Sequence, residues 1–167
     1  MEFLLHSNLE KKLFVVDLPL CRVLLEDEKF YPWLFLVPRR REVLRMIDLS
    51  ELDQLQLLRE LDFTQKLMWT EFQPSQLNVA AIGNKTPQLH VHVIARYDND
   101  PAWPDTVWDH PMREPYSEEM KATRLIRLKH LFSFYSLKYP SCYLKKVVEN
   151  AAINIINFRA NPRSVTA

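Results

Sequence analysis

An α+β fold, with antiparallel strands crossed by one long helix, is what the sequence predicts, on three observations. Short apolar runs are punctuated by proline, one amphipathic stretch carries its own N-cap, and a strictly alternating segment follows it. Residues 13–17, 21–26 and 33–37 read as the first three strands, each short, apolar and bounded by Pro19, Pro32 or Pro38, with a meander as the economical arrangement. Ser50 and Asp53 cap the main helix. In its run ELDQLQLLRELDFTQKLMW, Leu52, Leu55, Leu58, Leu61, Leu67 and Met68 form a stripe at helical spacing that is expected to face the core. Residues 77–82 and 88–96 are two further strands, joined through Gly83-Asn84-Lys85-Thr86-Pro87, where residues that tolerate positive φ or fix negative φ make a turn. The stretch DNDPAWPDTVWDHP has no period and is expected as an ordered loop. Ser117, with Glu118 and Glu119 behind it, caps a second helix to about residue 135 with the stripe Leu125, Leu128, Phe132, Tyr135, and residues 141–158 are expected as one more helix.

The chain has 167 residues, 47% of them hydrophobic and 26% charged, which fits one soluble globular domain. Its organisation is expected as a core over residues 1–115 and a basic, mainly helical C-terminal extension over residues 116–167. Cys21 and Cys142 stand far apart without CxxC or CxxH spacing, so neither a finger-type zinc site nor a disulfide framework is expected, and a reducing cytoplasmic compartment fits best. MEFLLHSNLEKK is too short in apolar residues for a secretory signal, and no run approaches the roughly 20 residues of a membrane span, so no membrane partner is expected. The net charge of +1 hides an asymmetry: residues 1–120 hold 13 Lys/Arg against 20 Asp/Glu, whereas residues 121–167 hold nine basic residues and only Glu149 as an acid. That tail either docks on its own acidic body or binds anions or nucleic acid.

Gln88-Leu89-His90-Val91-His92-Val93 alternates polar and apolar residues, and period two puts Gln88, His90 and His92 on one face with Leu89, Val91 and Val93 toward the core. Such a strand is either a site built on a rigid element or a plain exposed face. As chemistry, the pattern offers metal ligation or phosphorus chemistry. A metal site needs a third ligand; Arg96 and Tyr97 stand where an acid would complete one pattern, and His6, His110 and His130 are remote in sequence, so no metal is expected.

This stretch resembles the signature of the histidine triad (HIT) family, His-φ-His-φ-His-φ-φ on the last core strand, in the register Gln88-Leu-His90-Val-His92-Val-Ile. CRVLLEDEKFYPWLFLVPRRREVLRMIDLSELDQLQLLREL resembles the family's strand, loop, strand, Pro-Lys/Arg, short helix, Asp-Leu, long helix course. LNVAAIGN resembles the strand leading into the signature, and DPAWPDTVW the Trp-Pro segment of a bacterial branch of small HIT proteins. The likeness covers roughly residues 1–115. It implies a five-stranded antiparallel sheet with the long helix across one face, a homodimer, and no cofactor.

The resemblance also implies a function: hydrolysis or transfer at a nucleotide α-phosphate, on a dinucleoside polyphosphate, nucleoside phosphoramidate or related molecule, through a nucleotidyl-histidine on the middle triad residue, His90. Physical chemistry permits this, because a neutral imidazole whose Nδ1–H is held by a backbone carbonyl aims its Nε2 lone pair outward. His92 would carry a hydrogen bond or a positive charge to the phosphate oxygens. Gln88, standing where the family has histidine, would supply an uncharged amide donor to the phosphate or leaving group. Asn84 resembles the polar residue near the phosphates and is otherwise a turn residue in αL. By register, Glu26 or Asp27 would accept the ribose hydroxyls, while Leu25 and Trp33 would line the base pocket. Arg39, Arg40 and Arg41 read as a solvated face with one reaching the phosphate chain at most, and Trp103 and Trp108 as loop anchors or pocket cover. The rival reading is a non-catalytic nucleotide-binding regulatory or interaction protein with a degenerate triad. A nucleic-acid partner is not expected, since the zinc finger that accompanies adenylate hydrolysis on nucleic acid is missing.

Overall fold

Three proline-bounded runs form β1 (Leu13–Asp17), β2 (Cys21–Leu25) and β3 (Trp33–Pro38), paired antiparallel in chain order. The computed structural model describes residues 3–111 and 113–139. A single-turn helix, α1 (Ser7–Glu10), precedes the strands, with the His6 imidazole accepting the Asn8 N–H at its start. The long helix α2 (Glu51–Phe72) begins where Ser50 accepts the Asp53 N–H. It ends on Gln73, a left-handed residue at φ 45°. Then β4 (Gln76–Ala80) and β5 (Val91–Arg96) complete a five-stranded antiparallel sheet in the order β1-β2-β3-β5-β4. The expected sheet with its long helix is the one observed.

The two faces of this sheet do different work. Helix α2 lies against β3 and β5 on one face. The other face carries Leu24, Trp33, Phe35, Val37 and Ile94, joined by Leu9, Ala102 and Val107 into one apolar cluster. Register makes this consistent, because Phe35 pairs with both Leu24 and His92, and cross-strand partners share a face.

Helix α2 corrects the expected stripe. Its buried residues are Gln56, Leu57, Glu60, Phe63, Thr64, Leu67 and Met68, while Leu52, Leu55 and Leu58 are exposed. Only Leu67 and Met68 belong to both sets. The helix turns a partly polar face inward because Glu60 finds partners there: its carboxylate accepts the backbone N–H groups of Leu20 (2.7 Å) and Cys21 (2.8 Å) and the Gln56 amide (2.7 Å). Burial still raises the Glu60 carboxyl above the usual carboxylate range.

The expected turn at 83–87 also differs. Neither Gly83 nor Asn84 adopts positive φ; the positive-φ residues described are Glu42 and Gln73. The fifth strand starts at Val91 rather than Gln88, because Leu89 N–H bonds to the Val43 carbonyl outside the β5 ladder. Past the sheet, a buried ion pair anchors the Trp-Pro loop: Arg96 Nε donates to Asp100 at 2.7 Å, and both side chains are 1% exposed.

Helix α3 (Glu118–Phe132) starts on Ser117 as expected and buries Leu128 and Phe132, with Phe132 against Phe63. The chain divides into two compact units, Met1–Ser133 and Phe134–Ala167, with α3 in the first. Of the second unit, a short helix α4 (Tyr135–Lys138) is described, with the Tyr135 and Tyr139 rings 5.2 Å apart. The expected helix at 141–158, Cys142 and the basic residues beyond Lys138 lie outside the described residues.

Candidate active site

Strand β5 and the segment before it carry His90 and His92 to the face away from α2, where they open on a cavity of about 720 Å³. Trp33 and Phe35, two residues apart on β3, line it with stacked rings 5.8 Å apart. Trp108 closes another side from the Trp-Pro loop, and Asn8, Lys11 and Lys12 reach in from α1 and its exit. Asn84 and Lys85 come from the connection before the histidines. The His90 and His92 ring centroids are 4.9 Å apart.

The two imidazoles are held in opposite tautomers. His90 Nδ1 lies 2.6 Å from the Gln88 carbonyl, which can only accept, so the proton sits on Nδ1 and the neutral ring keeps its lone pair on Nε2. His92 Nδ1 lies 2.9 Å from Trp33 Nε1, which can only donate, so the His92 proton sits on Nε2. Burial disfavours the charged form of both rings. It lowers the His90 imidazole below its ordinary range, helped by the charges of His6 and Lys12, and pushes His92 down to about 3, helped by His90 and Lys12. Of the two roles expected for His92, the Trp33 bond fits donation of a hydrogen bond from Nε2 rather than a positive charge.

Other expected site residues divide. Asn84, Glu26 and Trp33 line the cavity, Glu26 bonding Lys12 Nζ at 2.6 Å. Leu25 does not: it pairs with Leu34 on the α2 face, and Leu24 occupies the cavity side of β2. Asp27 points elsewhere, accepting the Tyr116 N–H at 3.0 Å and pairing with Lys121 to fix the start of α3. Gln88 is spent on the N-terminal arm and does not line this cavity. Its amide brackets that arm, with Oε1 accepting the His6 N–H (2.8 Å) and Nε2 donating to the Leu4 carbonyl (2.9 Å). Arg39, Arg40 and Arg41 do not line the cavity either; Arg40 is held by Asp53.

The cations at the cavity are instead Lys11, Lys12 and Lys85, which carried no signal in the sequence. Phe35 was findable as the residue sharing Trp33's face. Among the described residues, no group of three or more His, Cys, Asp or Glu side chains stands where it could hold a metal ion, and no helix is long and apolar enough to cross a membrane.

The family model of the HIT domain matches residues 8–99. The chain belongs to the HIT domain family. Among solved structures this HIT chain is similar to a histidine triad protein from Bradyrhizobium japonicum, 38% identical at a TM-score of 0.75, with 78% of this chain and 98% of that one covered. It is likewise similar to histidine triad proteins from Sinorhizobium meliloti (36% identity, TM-score 0.74, 77% and 96% covered) and Marinobacter aquaeolei (37%, 0.76, 80% and 98%). No curated protein matches the chain. HIT membership accounts for the two histidines at the start of β5 and leaves the substrate open.

Proposed function

We propose that the protein cleaves or transfers at the α-phosphate of a nucleotide, of dinucleoside polyphosphate or nucleoside phosphoramidate type, through a nucleotidyl-histidine on His90. The observation that carries this reading is the bond from His90 Nδ1–H to the Gln88 carbonyl, which leaves a bare, uncharged Nε2 on a ring that lines a cavity. In the first step the Nε2 lone pair forms a bond to the α-phosphorus, and the bond to the leaving group breaks with its electron pair, the leaving group taking up a proton. In the second, water adds to phosphorus, the P–N bond breaks and its pair returns to Nε2, releasing a nucleoside monophosphate and a proton. Lys12, Lys11 and Lys85 supply the field for an anionic ligand. Asn84 offers an amide to the phosphates, Glu26 an acceptor for ribose hydroxyls, and Trp33 with Phe35 an apolar wall for the base.

Mixing the protein with diadenosine tetraphosphate or adenosine phosphoramidate, quenching in alkali and weighing it tests the reading directly. A mass increase of one adenylate on His90 is expected. His90→Ala should lose at least about three orders of magnitude in turnover with nucleotide affinity largely kept. Binding of AMP with neither adduct nor turnover selects the non-catalytic nucleotide-binding alternative. Activity is expected to survive exhaustive chelation, and zinc-dependent activity would reject the mechanism. A homodimer belongs to the same proposal, supported by the exposed Leu52, Leu55 and Leu58 on α2. Sedimentation of the wild type and Leu55→Glu, with only the variant monomeric, is the expected result.

A further inference from the structure

Two buried hydrogen-bonding nitrogens at the histidine cavity have no partner: His92 Nε2 and Trp108 Nε1. Among the described residues these are the only partnerless buried side-chain polar atoms that belong to residues lining that cavity. Leaving a buried polar group unpaired is costly, and a buried donor at a cavity is the mark of a ligand acceptor. The rings of His92 and Trp108 stand nearly perpendicular at 88° with centroids 5.4 Å apart, and Trp33 contacts both, at 5.5 Å from His92 and 6.0 Å from Trp108. Trp33 Nε1–H meets His92 Nδ1 at 2.9 Å. Because indole nitrogen only donates, this bond admits one neutral tautomer and disfavours imidazolium, whose Nδ1–H would face another donor.

We infer that Trp33 is a positioning residue that holds His92 as the Nε2–H tautomer, so that the phosphate hydrogen bond the family resemblance gives His92 is donated from an uncharged ring, and that Trp108 adds a second uncharged donor to oxygens of a phosphoryl group carried at His90. The inference rests on the proposed chemistry at His90 for its ligand, but not for the tautomer. A nucleophilic lone pair and a donor N–H then stand side by side on adjacent rings, the first fixed by a main-chain carbonyl and the second by an indole. Uncharged donors held rigidly in a buried site stabilise developing charge on phosphoryl oxygens without themselves having to lose a proton.

Long-range proton–nitrogen NMR correlations of the free protein read the tautomers. His92 is expected with the proton on Nε2 and Nδ1 bare from pH 5 to 8, and a proton on Nδ1 would overturn the first half. In Trp33→Phe, which keeps the ring and loses the donor, His92 should become a tautomer mixture and titrate at higher pH, with kcat reduced about tenfold or more and KM within about threefold. A purely packing role for Trp33 would leave the tautomer unmoved and so overturns the inference. AMP is the binding probe. Its addition should shift the His92 Nε2–H and Trp108 Nε1–H proton signals, and Trp108→Phe should lower kcat/KM roughly tenfold. If AMP saturates the protein and moves His90 without moving either signal, the donor assignment fails while the proposed function stands. If AMP does not bind and no adduct forms on His90, the proposed function fails and the donor half with it, while the free-protein tautomer still decides the Trp33 half.

Discussion

Replacing Gln88 with alanine removes the bracket that ties the N-terminal arm to the histidine segment while leaving the main-chain carbonyl that holds His90. Two hydrogen bonds are lost, one of 2.8 Å from the His6 N–H in a half-buried setting and one of 2.9 Å to the exposed Leu4 carbonyl. At about 0.5–1.5 kcal/mol net each, residues 4–6 lose about 1–3 kcal/mol of attachment, which is roughly a 5- to 150-fold rise in the detached population. The rest of the arm stays, because Asn8 Nδ2 donates to Thr86 Oγ1 at 3.0 Å and Leu9 is 2% exposed in the aromatic cluster. Amide hydrogen exchange at His6 is the assay: exchange should speed up by about that factor, with kcat within about threefold of wild type. Gln88→His should behave like alanine, since the two imidazole nitrogens diverge and cannot bracket neighbouring main-chain groups as an amide does. If kcat instead falls by more than about tenfold while His6 protection is unchanged, the amide acts on the ligand and the bracket is incidental.

Four other outcomes follow from the same structure. In the proposed reaction His90 must be unprotonated to attack, and burial with nearby charge lowers its pKa, so the acid limb of kcat/KM should fall below the ordinary imidazole value of about 6.5 and move upward in Lys12→Met. Asp100→Ala removes the counter-charge of the Arg96 guanidinium, 1% exposed and left with Asn78 Oδ1 at 2.7 Å, and should cost about 3–5 kcal/mol, a Tm loss of roughly 6–20 °C by calorimetry. Gln73→Gly relieves a left-handed residue at φ 45° and should stabilise the fold by about 1 kcal/mol, read as a raised urea midpoint at constant m. Glu60 is raised by burial, so it binds its proton more tightly folded than unfolded. Its contribution to stability should decline as pH rises from the ordinary carboxyl value through the folded one, and Glu60→Gln should flatten urea stability across that window.

The strands and caps were legible because their signals are local: prolines bound β1 to β3, and Ser50 and Ser117 each cap a helix from one residue before it. The inward face of α2 was not. Glu60 is buried because Leu20 and Cys21 donate to it across 40 and 39 residues of sequence, and no helical period announces that partner. The family register misplaced Leu25 on β2 for a related reason: both faces are covered, so Leu24 and Leu25 are equally buried and nothing in the sequence marks which one faces the cavity. His90, His92 and Trp33 could be placed by alternation and by family register. Lys12 and Lys85 reach the cavity from α1's exit and from a loop, where no period exists to be read.

Glutamine at the first signature position now has a physical account. What the His90 ring takes from residue 88 is its carbonyl, and every amino acid supplies one, so the substitution leaves the tautomer and the direction of the Nε2 lone pair untouched. The side chain is then free to serve the arm, and an amide suits that task because it places one acceptor and one donor side by side, matching the His6 N–H and the Leu4 carbonyl. In the proposed reaction the donor to the ligand is His92, two residues on, whose ring is bonded to Trp33 and not to residue 88. The proposed nucleophile, the proposed donor and the arm thus rest on three separate hydrogen-bonding arrangements, and a change of side chain at position 88 is expected to disturb only the last.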